Sequence, residues 1–370
     1  NIGLGGIIQD DQSFVDLNTF TVWQKVQCGG KFFSKGDFTV ALDLSGRMWT
    51  WGDDTYGQCA VNELPTDGVN YRSTPGRIIG NDVHDKAWSD ISCGEQHAVA
   101  IDVDGTLYMW GKNTEGALLN LPGVTRRCTL FFNSSLNKIW KSVSCGAYHT
   151  VALDDVGSVF VWGKNDQGQL GVSDFTGAFS DVALQHTPPH LNIKYKQISS
   201  GANFVAAIDV DGIMYLWGSN LCGQLGQNDI YLKSSNKPQK LKGDFLNKKW
   251  KHVECGATHV LAIDTEDRLY GWGNNREYQL GLSGITYQYQ PLLLDKENKY
   301  IDITASLSHS CVTDMRNRVH VSGVFNNNNY YTFTEIKCVQ VDVDSRRNLN
   351  VLIIKKLKKG AFLIQTKTPI

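Results

Sequence analysis

The sequence lacks the features that define several large protein classes. No run of about 18 or more apolar residues occurs, so we expect no membrane-spanning helix. Charge of neither sign is in excess, with 36 basic against 37 acidic residues, and no overall field attracts nucleic acid or anionic lipid. Hydrophobic residues make up 41% of the chain, which is enough for a substantial core. These features predict a globular protein for which nucleic acid is not a direct ligand.

Cysteine is present, but not at the spacing of a disulfide scaffold. The nine cysteines are an odd number in a chain of 370 residues. Cys28, Cys93, Cys145 and Cys255 recur at one repeat position, where the fourth copy has Ser200. A position that accepts serine requires a small buried side chain rather than a reactive thiol. Reduced cysteines predict an intracellular compartment, with cytosol, nucleus and mitochondrion all open.

Motifs for catalysis and for cofactors are missing as well. No glycine-rich phosphate loop follows a strand and opens a helix, and no Ser-His-Asp or paired-carboxylate arrangement stands apart from the repeat. We therefore predict that the chain is not an enzyme and binds no cofactor or metal.

A repeat with a period of about 55 residues dominates the sequence. Its most regular feature is a Trp-Gly pair at the end of a strand, and the sixth copy has Ser322-Gly323 in its place. A seventh copy begins near Val351 and keeps strand, turn and strand without the tryptophan. The tryptophans of the five intact pairs are Trp51, Trp110, Trp162, Trp217 and Trp272. Since almost all ten tryptophans fall at two repeat positions, with Trp49 as the exception, they are predicted to be core residues and not platforms for stacking bases.

Each copy is predicted to form four β-strands. The segment from His149 to Gly163 alternates apolar and polar residues on both sides of a turn at Asp154 to Gly157, as a hairpin does. Prolines such as Pro75 and Pro238 begin the last strand, which suits an outer edge. Seven such copies predict an all-β, seven-bladed propeller in a single domain, 1–370, closed by N- and C-terminal strands that share one blade. The predicted blade cores are 23–52, 88–111, 140–163, 195–218, 250–273, 300–323 and 335–366.

Histidines also recur once per blade. His97, His149 and His259 occupy one repeat position, where two other copies have Phe38 and Phe204. Neighbouring sheets stack about 10 Å apart, whereas zinc requires its histidine nitrogens at about 2.1 Å. These histidines are therefore predicted to make structural hydrogen bonds within their blades.

The repeat resembles that of the regulator of chromosome condensation family. The residues of the third copy that carry this resemblance are Trp140, Cys145, Gly146, His149, Asp154, Gly157, Trp162, Gly163, Asn165 and the stretch 168–171. The resemblance implies the family's seven-bladed fold. It also raises the function of a well-known member, which exchanges nucleotide on the small GTPase Ran. That member carries a Phe-Arg-Asp-Asn wedge after one Trp-Gly pair, whereas the corresponding stretches here, such as Lys164-Asn165-Asp166, do not match it.

Departures from the repeat indicate where a partner binds. The first copy inserts a loop between its first two strands, and this loop contains Phe32, Phe33 and Lys35. Loops carry function while strands hold the fold, so these residues are the predicted partner-binding site, together with the long connections between third and fourth strands. The predicted function is a non-catalytic protein–protein interaction module, a scaffold or a subunit of a larger intracellular assembly. The alternative is a guanine-nucleotide exchange factor or regulator of a Ran-like GTPase.

Overall fold

The chain is built from short antiparallel β-strands. A computed structural model describes residues 23–30, 37–60, 71–78, 86–119, 126–132, 138–172, 177–185, 193–325, 328–336, 351–354 and 362–365. One 3-10 helix at Gly243–Phe245 is the only helix in this part of the chain. Each group of four consecutive strands forms an antiparallel meander, which is the blade of a β-propeller. The prediction of an all-β propeller is confirmed.

Two compact units contain these blades. The first unit holds two four-stranded sheets and a two-stranded sheet at the C-terminal end. Its strands are β1 (Trp23–Gly29), β2 (Phe38–Asp43), β3 (Met48–Asp53), β4 (Tyr71–Arg77), β5 (Trp88–Cys93), β6 (His97–Asp102), β7 (Leu107–Lys112), β8 (Arg126–Phe132), β25 (Val351–Ile354) and β26 (Phe362–Gln365).

The second unit holds four sheets, which are blades three to six. The strands of blades three and four are β9 (Trp140–Cys145), β10 (His149–Asp154), β11 (Val159–Lys164), β12 (Phe179–Gln185), β13 (Tyr195–Ser200), β14 (Phe204–Asp209), β15 (Met214–Ser219) and β16 (Ser234–Lys240). The strands of blades five and six are β17 (Trp250–Cys255), β18 (His259–Asp264), β19 (Leu269–Asn274), β20 (Tyr287–Leu293), β21 (Tyr300–Ala305), β22 (His309–Asp314), β23 (Val319–Phe325) and β24 (Asn328–Ile336).

The second strand of each four-stranded sheet is buried along its whole length, so residues on both faces of the strand are shielded from solvent. Its apolar and small residues explain this burial, since Val, Ala, Ile and Leu fill a two-sided layer without leaving polar groups unpaired. The outer strand is more exposed than the second strand, as β16 shows. Within a blade, solvent exposure therefore increases from the second strand to the outer strand.

The turn between the second and third strands has the backbone that its glycine predicts. Gly46, Gly105, Gly157 and Gly212 have φ between 73° and 85°, a region that glycine adopts without steric cost. In each of these turns the glycine N–H donates to the carbonyl of an aspartate three residues earlier. The second and third strands are therefore joined by a four-residue turn in these blades.

Successive blades of the second unit are joined in series by backbone hydrogen bonds. The N–H of Ala147 donates to the carbonyl of Ala202 at 2.9 Å, and the N–H of Ala202 donates to Ala257 at 3.0 Å. Ala257 continues the series to Ser306 at 3.1 Å. These residues lie in the connections between first and second strands. The hydrogen bonds therefore hold neighbouring blades together at that end of the sheets.

The prediction of seven four-stranded blades is wrong in its count. The described residues form six four-stranded sheets, and the C-terminal copy contributes only the pair β25 and β26. That copy lacks the Trp-Gly pair that ends the third strand of the intact copies. The predicted core 335–366 also starts inside β24, which runs to Ile336. The predicted closure by terminal strands involves residues 1–22, which lie outside the described residues.

Candidate partner-binding surface

The predicted partner-binding residues Phe32, Phe33 and Lys35 lie outside the described residues. In sequence they stand between β1 and β2. The N–H of Asp53 donates to the carbonyl of Asp37 at 2.9 Å. The assignment of these three residues to a binding site stays a prediction.

The repeat tryptophans are buried. The indoles of four of them form hydrogen bonds to the preceding copy of the repeat. Their Nε1–H groups donate to backbone carbonyls in the loop that follows the third strand of that blade. The bonds run from Trp110 to Gln58 at 2.7 Å, Trp162 to Ala117 at 2.8 Å, Trp217 to Gln169 at 3.0 Å and Trp272 to Gln224 at 2.9 Å. In the sixth blade the hydroxyl of Ser322 donates to the carbonyl of Gln279 at 2.9 Å. Trp51 is 4% exposed.

The repeat histidines are buried and are not arranged as metal ligands. Nε2 of His259 lies 2.8 Å from the hydroxyl of Ser310 in the next blade. Burial lowers the pKa of His97 to about 4, and burial with the nearby His309 lowers the pKa of His259 to about 3. His149 is also fully buried. No group of three potential metal ligands occurs within the described ranges.

The buried cysteines are poor nucleophiles. Burial raises the pKa of the Cys255 thiol well above its usual range and that of Cys311 to about 12. Only the thiolate is nucleophilic, so these side chains are inert near neutral pH. Cys28 and Cys93 are only half-buried, which departs from the expected full burial of this position.

An exposed apolar group occupies the connection between β15 and β16 in the fourth blade. Tyr231 is 84% exposed, Leu221 is 59% exposed and Ile230 is 54% exposed. Sequence reasoning missed this group, although an Ile-Tyr pair in a loop between two polar stretches was a visible signal. Large apolar side chains gathered in one loop are typical of a binding surface.

Hydrogen bonds hold this connection in one conformation. The side-chain amide of Asn220 donates to the carbonyl of Leu232 at 2.8 Å, and its backbone N–H donates to Lys233 at 2.7 Å. One carboxylate oxygen of Asp229 accepts from the N–H groups of Tyr231 at 2.9 Å and Leu232 at 3.1 Å. The exposed side chains therefore stand on an ordered loop, which lowers the entropic cost of binding a partner.

Tyrosines of the fifth blade continue the group. The N–H of Asn228 donates to the carbonyl of Tyr289 at 2.8 Å, which joins the connection of the fourth blade to β20. The rings of Tyr287 and Tyr289 lie 6.3 Å apart. The guanidinium of Arg276 lies 5.2 Å from the ring centre of Tyr287, close enough for a cation–π contact.

A further tyrosine pair joins the fifth blade to the sixth. Tyr278 and Tyr331 meet edge to face with ring centres 4.5 Å apart, and Tyr331 remains 51% exposed. The N–H of Asn275 donates to the carbonyl of Thr286 at 2.8 Å and closes the loop that carries Tyr278. The tyrosine surface comprises Leu221, Ile230, Tyr231, Tyr278, Tyr287, Tyr289 and Tyr331.

Exposed apolar residues also occur at the opposite end of the blades, singly in the hairpin turns. Val156 is 56% exposed and Val210 is 60% exposed, each at a tight turn between second and third strands. Single exposed apolar residues of this kind are normal on protein surfaces. The two ends of the blades therefore differ in their content of clustered aromatic side chains.

Comparison with known proteins identifies the repeat. The family model described as the regulator of chromosome condensation (RCC1) repeat matches residues 45–101, 104–153, 156–208, 211–263 and 266–313. The chain belongs to the RCC1 repeat family. A second model with the same description matches shorter segments that begin at the first strand of each of the first five blades.

Relatives of this RCC1-repeat chain differ in size and in function. The human E3 ubiquitin-protein ligase HERC2 is 30% identical over 284 residues, which is 75% of this chain and 6% of HERC2. The chain therefore spans a small fraction of that relative.

Solved structures show the same fold at low identity. Human WBSCR16 superposes with a TM-score of 0.74 at 17% identity, covering 87% of this chain and 85% of that one. Prp20p from Saccharomyces cerevisiae, whose structure was described with its binding to Gsp1p and histones, has a TM-score of 0.70 at 20% identity and covers 89% and 78%. No helix in the described part of this chain is both long enough and apolar enough to cross a membrane.

Proposed function

We propose that this RCC1-repeat chain is a non-catalytic protein–protein interaction module, a scaffold or complex subunit that binds its partner through the tyrosine surface. The observation that carries the proposal is the presence of Leu221, Ile230 and Tyr231, each more than half exposed, in one hydrogen-bonded connection. Water contact with these side chains costs free energy that a partner would recover.

The composition of the surface supports a protein partner. Tyrosine and arginine are enriched among the residues that dominate binding energy at protein interfaces. Both residue types occur here: Arg276 makes a cation–π contact with Tyr287, and the rings of Tyr278 and Tyr331 pack edge to face. Tyrosine also loses little side-chain entropy on binding, because few of its bonds rotate.

The absence of catalysis is part of the proposal. His259 and Cys255, whose pKa values are strongly shifted, are buried in repeat positions where no substrate would reach them. An active site requires such groups in an accessible cleft.

The alternative function, regulation of a Ran-like GTPase, is separated from the first by one measurement. The rate of nucleotide release from a panel of small GTPases is recorded with and without the chain. A scaffold leaves this rate unchanged, whereas an exchange factor accelerates it by orders of magnitude.

Comparative affinity purification tests the proposed surface. The double variant Leu221→Ser, Tyr231→Ala should lose the partner proteins that the wild type retains, as identified by mass spectrometry. The control is Val156→Ser, Val210→Ser, which removes apolar groups that are also more than half exposed, at the opposite end of the blades, and should keep the partner proteins.

A third variant, Phe32→Ala with Phe33→Ala, tests the surface predicted from the sequence. Loss of the partner in this variant, with retention in the Leu221 and Tyr231 variant, would move the binding site to the first blade and overturn the proposal.

A further inference from the structure

Lysine is concentrated in one segment of the fourth blade. Residues 230–251 contain seven lysines and a single acidic residue, Asp244, in a chain whose overall charge is −1. The segment includes the outer strand β16 and the connection to β17. The lysines are Lys233, Lys237, Lys240, Lys242, Lys248, Lys249 and Lys251.

Several of these lysines already have partners inside the blade. Lys248 pairs with Asp264 at 2.8 Å, Lys251 pairs with Asp267 at 2.6 Å, and the ammonium of Lys240 lies 5.5 Å from the ring centre of Tyr215.

Lys233, Lys237 and Lys242 are exposed and form no ion pair with any described residue. Their charge is therefore available to a ligand.

A groove of about 540 Å³ lies beside this strand, and Lys237 and Lys242 line it. Its other wall is the loop that follows β11 in the third blade, at Asn165 to Gly168. Gly168 has φ of +74° and lies so close to Asn236 that an added Cβ would be 2.9 Å from the Asn236 Cα. The two walls thus meet at the base of the groove, and the groove is a built feature of both blades.

The acidic groups of the groove are already engaged. Asp166 pairs with Lys164 at 3.1 Å, and Asp229 accepts two backbone N–H groups of its own loop. With Lys164 included, three lysines face two aspartates at the groove, which gives a formal net charge of +1.

We propose that this groove binds an acidic segment of a protein partner, in extended conformation along β16. The charge of Lys237 and Lys242 complements Asp and Glu side chains, and the polar lining offers hydrogen bonds to a peptide backbone. Tyr231 of the tyrosine surface stands in sequence between Asp229 and Leu232, which line the groove, so one partner can occupy both.

A peptide fits these observations better than a nucleic acid does. The seven residues of β16 extend over about 23 Å, whereas duplex DNA carries a charge about every 1.7 Å and binds through many phosphate contacts. The carboxylates of Asp166 and Asp229 in the groove repel a continuous phosphate backbone, whereas a peptide with spaced acidic residues can place uncharged residues beside them.

Fluorescence anisotropy with a labelled peptide of alternating Glu and Gly tests the proposal on the full chain. The double variant Lys237→Gln, Lys242→Gln should bind the peptide about tenfold more weakly than the wild type, and both should lose affinity as salt rises. The charge-matched control is Lys141→Gln, Lys196→Gln, which alters exposed lysines of inner strands and should bind as the wild type does. Equal melting temperatures of the variants show that binding, and not folding, has changed.

Two results would overturn the inference. One is equal peptide affinity in the wild type and the Lys237, Lys242 variant. The other is tighter binding of a DNA duplex of equal charge, released by the same substitutions, which would make the groove a nucleic-acid site. The inference does not depend on the tyrosine surface, because the Leu221→Ser, Tyr231→Ala variant should keep its affinity for the acidic peptide.

Discussion

At the scale of single residues, the aromatic positions explain how the blades stay together. The sequence predicted two tryptophan positions per copy and treated Trp49 as an exception. Trp49 in fact occupies a third aromatic position, where its ring meets Trp23 edge to face at 5.9 Å. Trp88 and Tyr108 repeat this contact in the second blade, at 5.1 Å. The position was missed because Trp, Tyr and Phe replace one another there, while the shape of the contact is kept.

The indole hydrogen bond gives a prediction for stability. Trp272→Ala should lower the free energy of unfolding by about 3 to 5 kcal/mol, because it removes a large buried side chain. Trp272→Phe keeps most of the apolar volume but leaves the Gln224 carbonyl without its donor, and should cost about 1 to 3 kcal/mol. Urea unfolding of the three proteins measures both values. A loss of less than about 1 kcal/mol for the alanine variant would contradict the account.

The buried histidines give a prediction for acid stability. The pKa of His259 is about 3 in the folded protein, against about 6.5 for an unfolded chain. Between these values the unfolded state binds a proton that the folded state does not, so the free energy of unfolding falls as pH falls below about 6.5. At pH 5 this single histidine should cost on the order of 2 kcal/mol.

The matched variant for this test is His259→Phe, since Phe204 fills the same position in the fourth blade. Unfolding free energies measured between pH 7 and pH 5 should fall less steeply in the variant than in the wild type. Parallel pH dependences would show that His259 does not oppose protonation in the fold.

At the scale of the element, a buried aspartate organises each hairpin. One carboxylate oxygen of Asp264 accepts the N–H groups of Glu266 and Arg268, both at 2.9 Å. The other oxygen pairs with Lys248 at 2.8 Å and with Arg268 at 2.7 Å. Burial acts to raise the pKa of Asp264, but these hydrogen bonds outweigh it and the pKa is lowered. The hairpins were predictable because this aspartate and the turn glycine are local signals, whereas the lysine partner comes from outside the hairpin.

The glycine of the Trp-Gly pair is a second requirement of the element. Gly273 has φ of +98°, and an added Cβ would be 2.6 Å from the carbonyl oxygen of Thr258. Gly273→Ala should therefore destabilise the protein through both backbone strain and a clash with a neighbouring strand.

Gly243→Ala is the control for this prediction, because Gly243 has φ of +58° with no atom within 4 Å of an added Cβ. It should cost only the strain of about 1 to 2 kcal/mol, and Gly273→Ala should cost clearly more in thermal or urea unfolding. Equal costs would mean that the strand can move away from Gly273.

At the scale of the whole molecule, regular repeats were predictable and departures from them were not. The strands of the first six blades follow from alternation and turn glycines. The last copy was counted as a full blade because its hairpin pattern is local, but a blade also requires its third and fourth strands. The tyrosine surface escaped the sequence because its members come from three blades and are joined by contacts such as Asn228 with Tyr289 and Tyr278 with Tyr331.

The central claim is that a protein partner binds at the tyrosine surface. Isothermal titration of the purified partner against the chain tests it most directly, with Tyr231→Ala compared with Val210→Ala. Truncation of a central aromatic residue typically costs about 2 kcal/mol or more, so Tyr231→Ala should weaken binding about thirtyfold, and Val210→Ala should leave it unchanged. Affinity that is equal for wild type and Tyr231→Ala, or that falls with Val210→Ala, would contradict the claim.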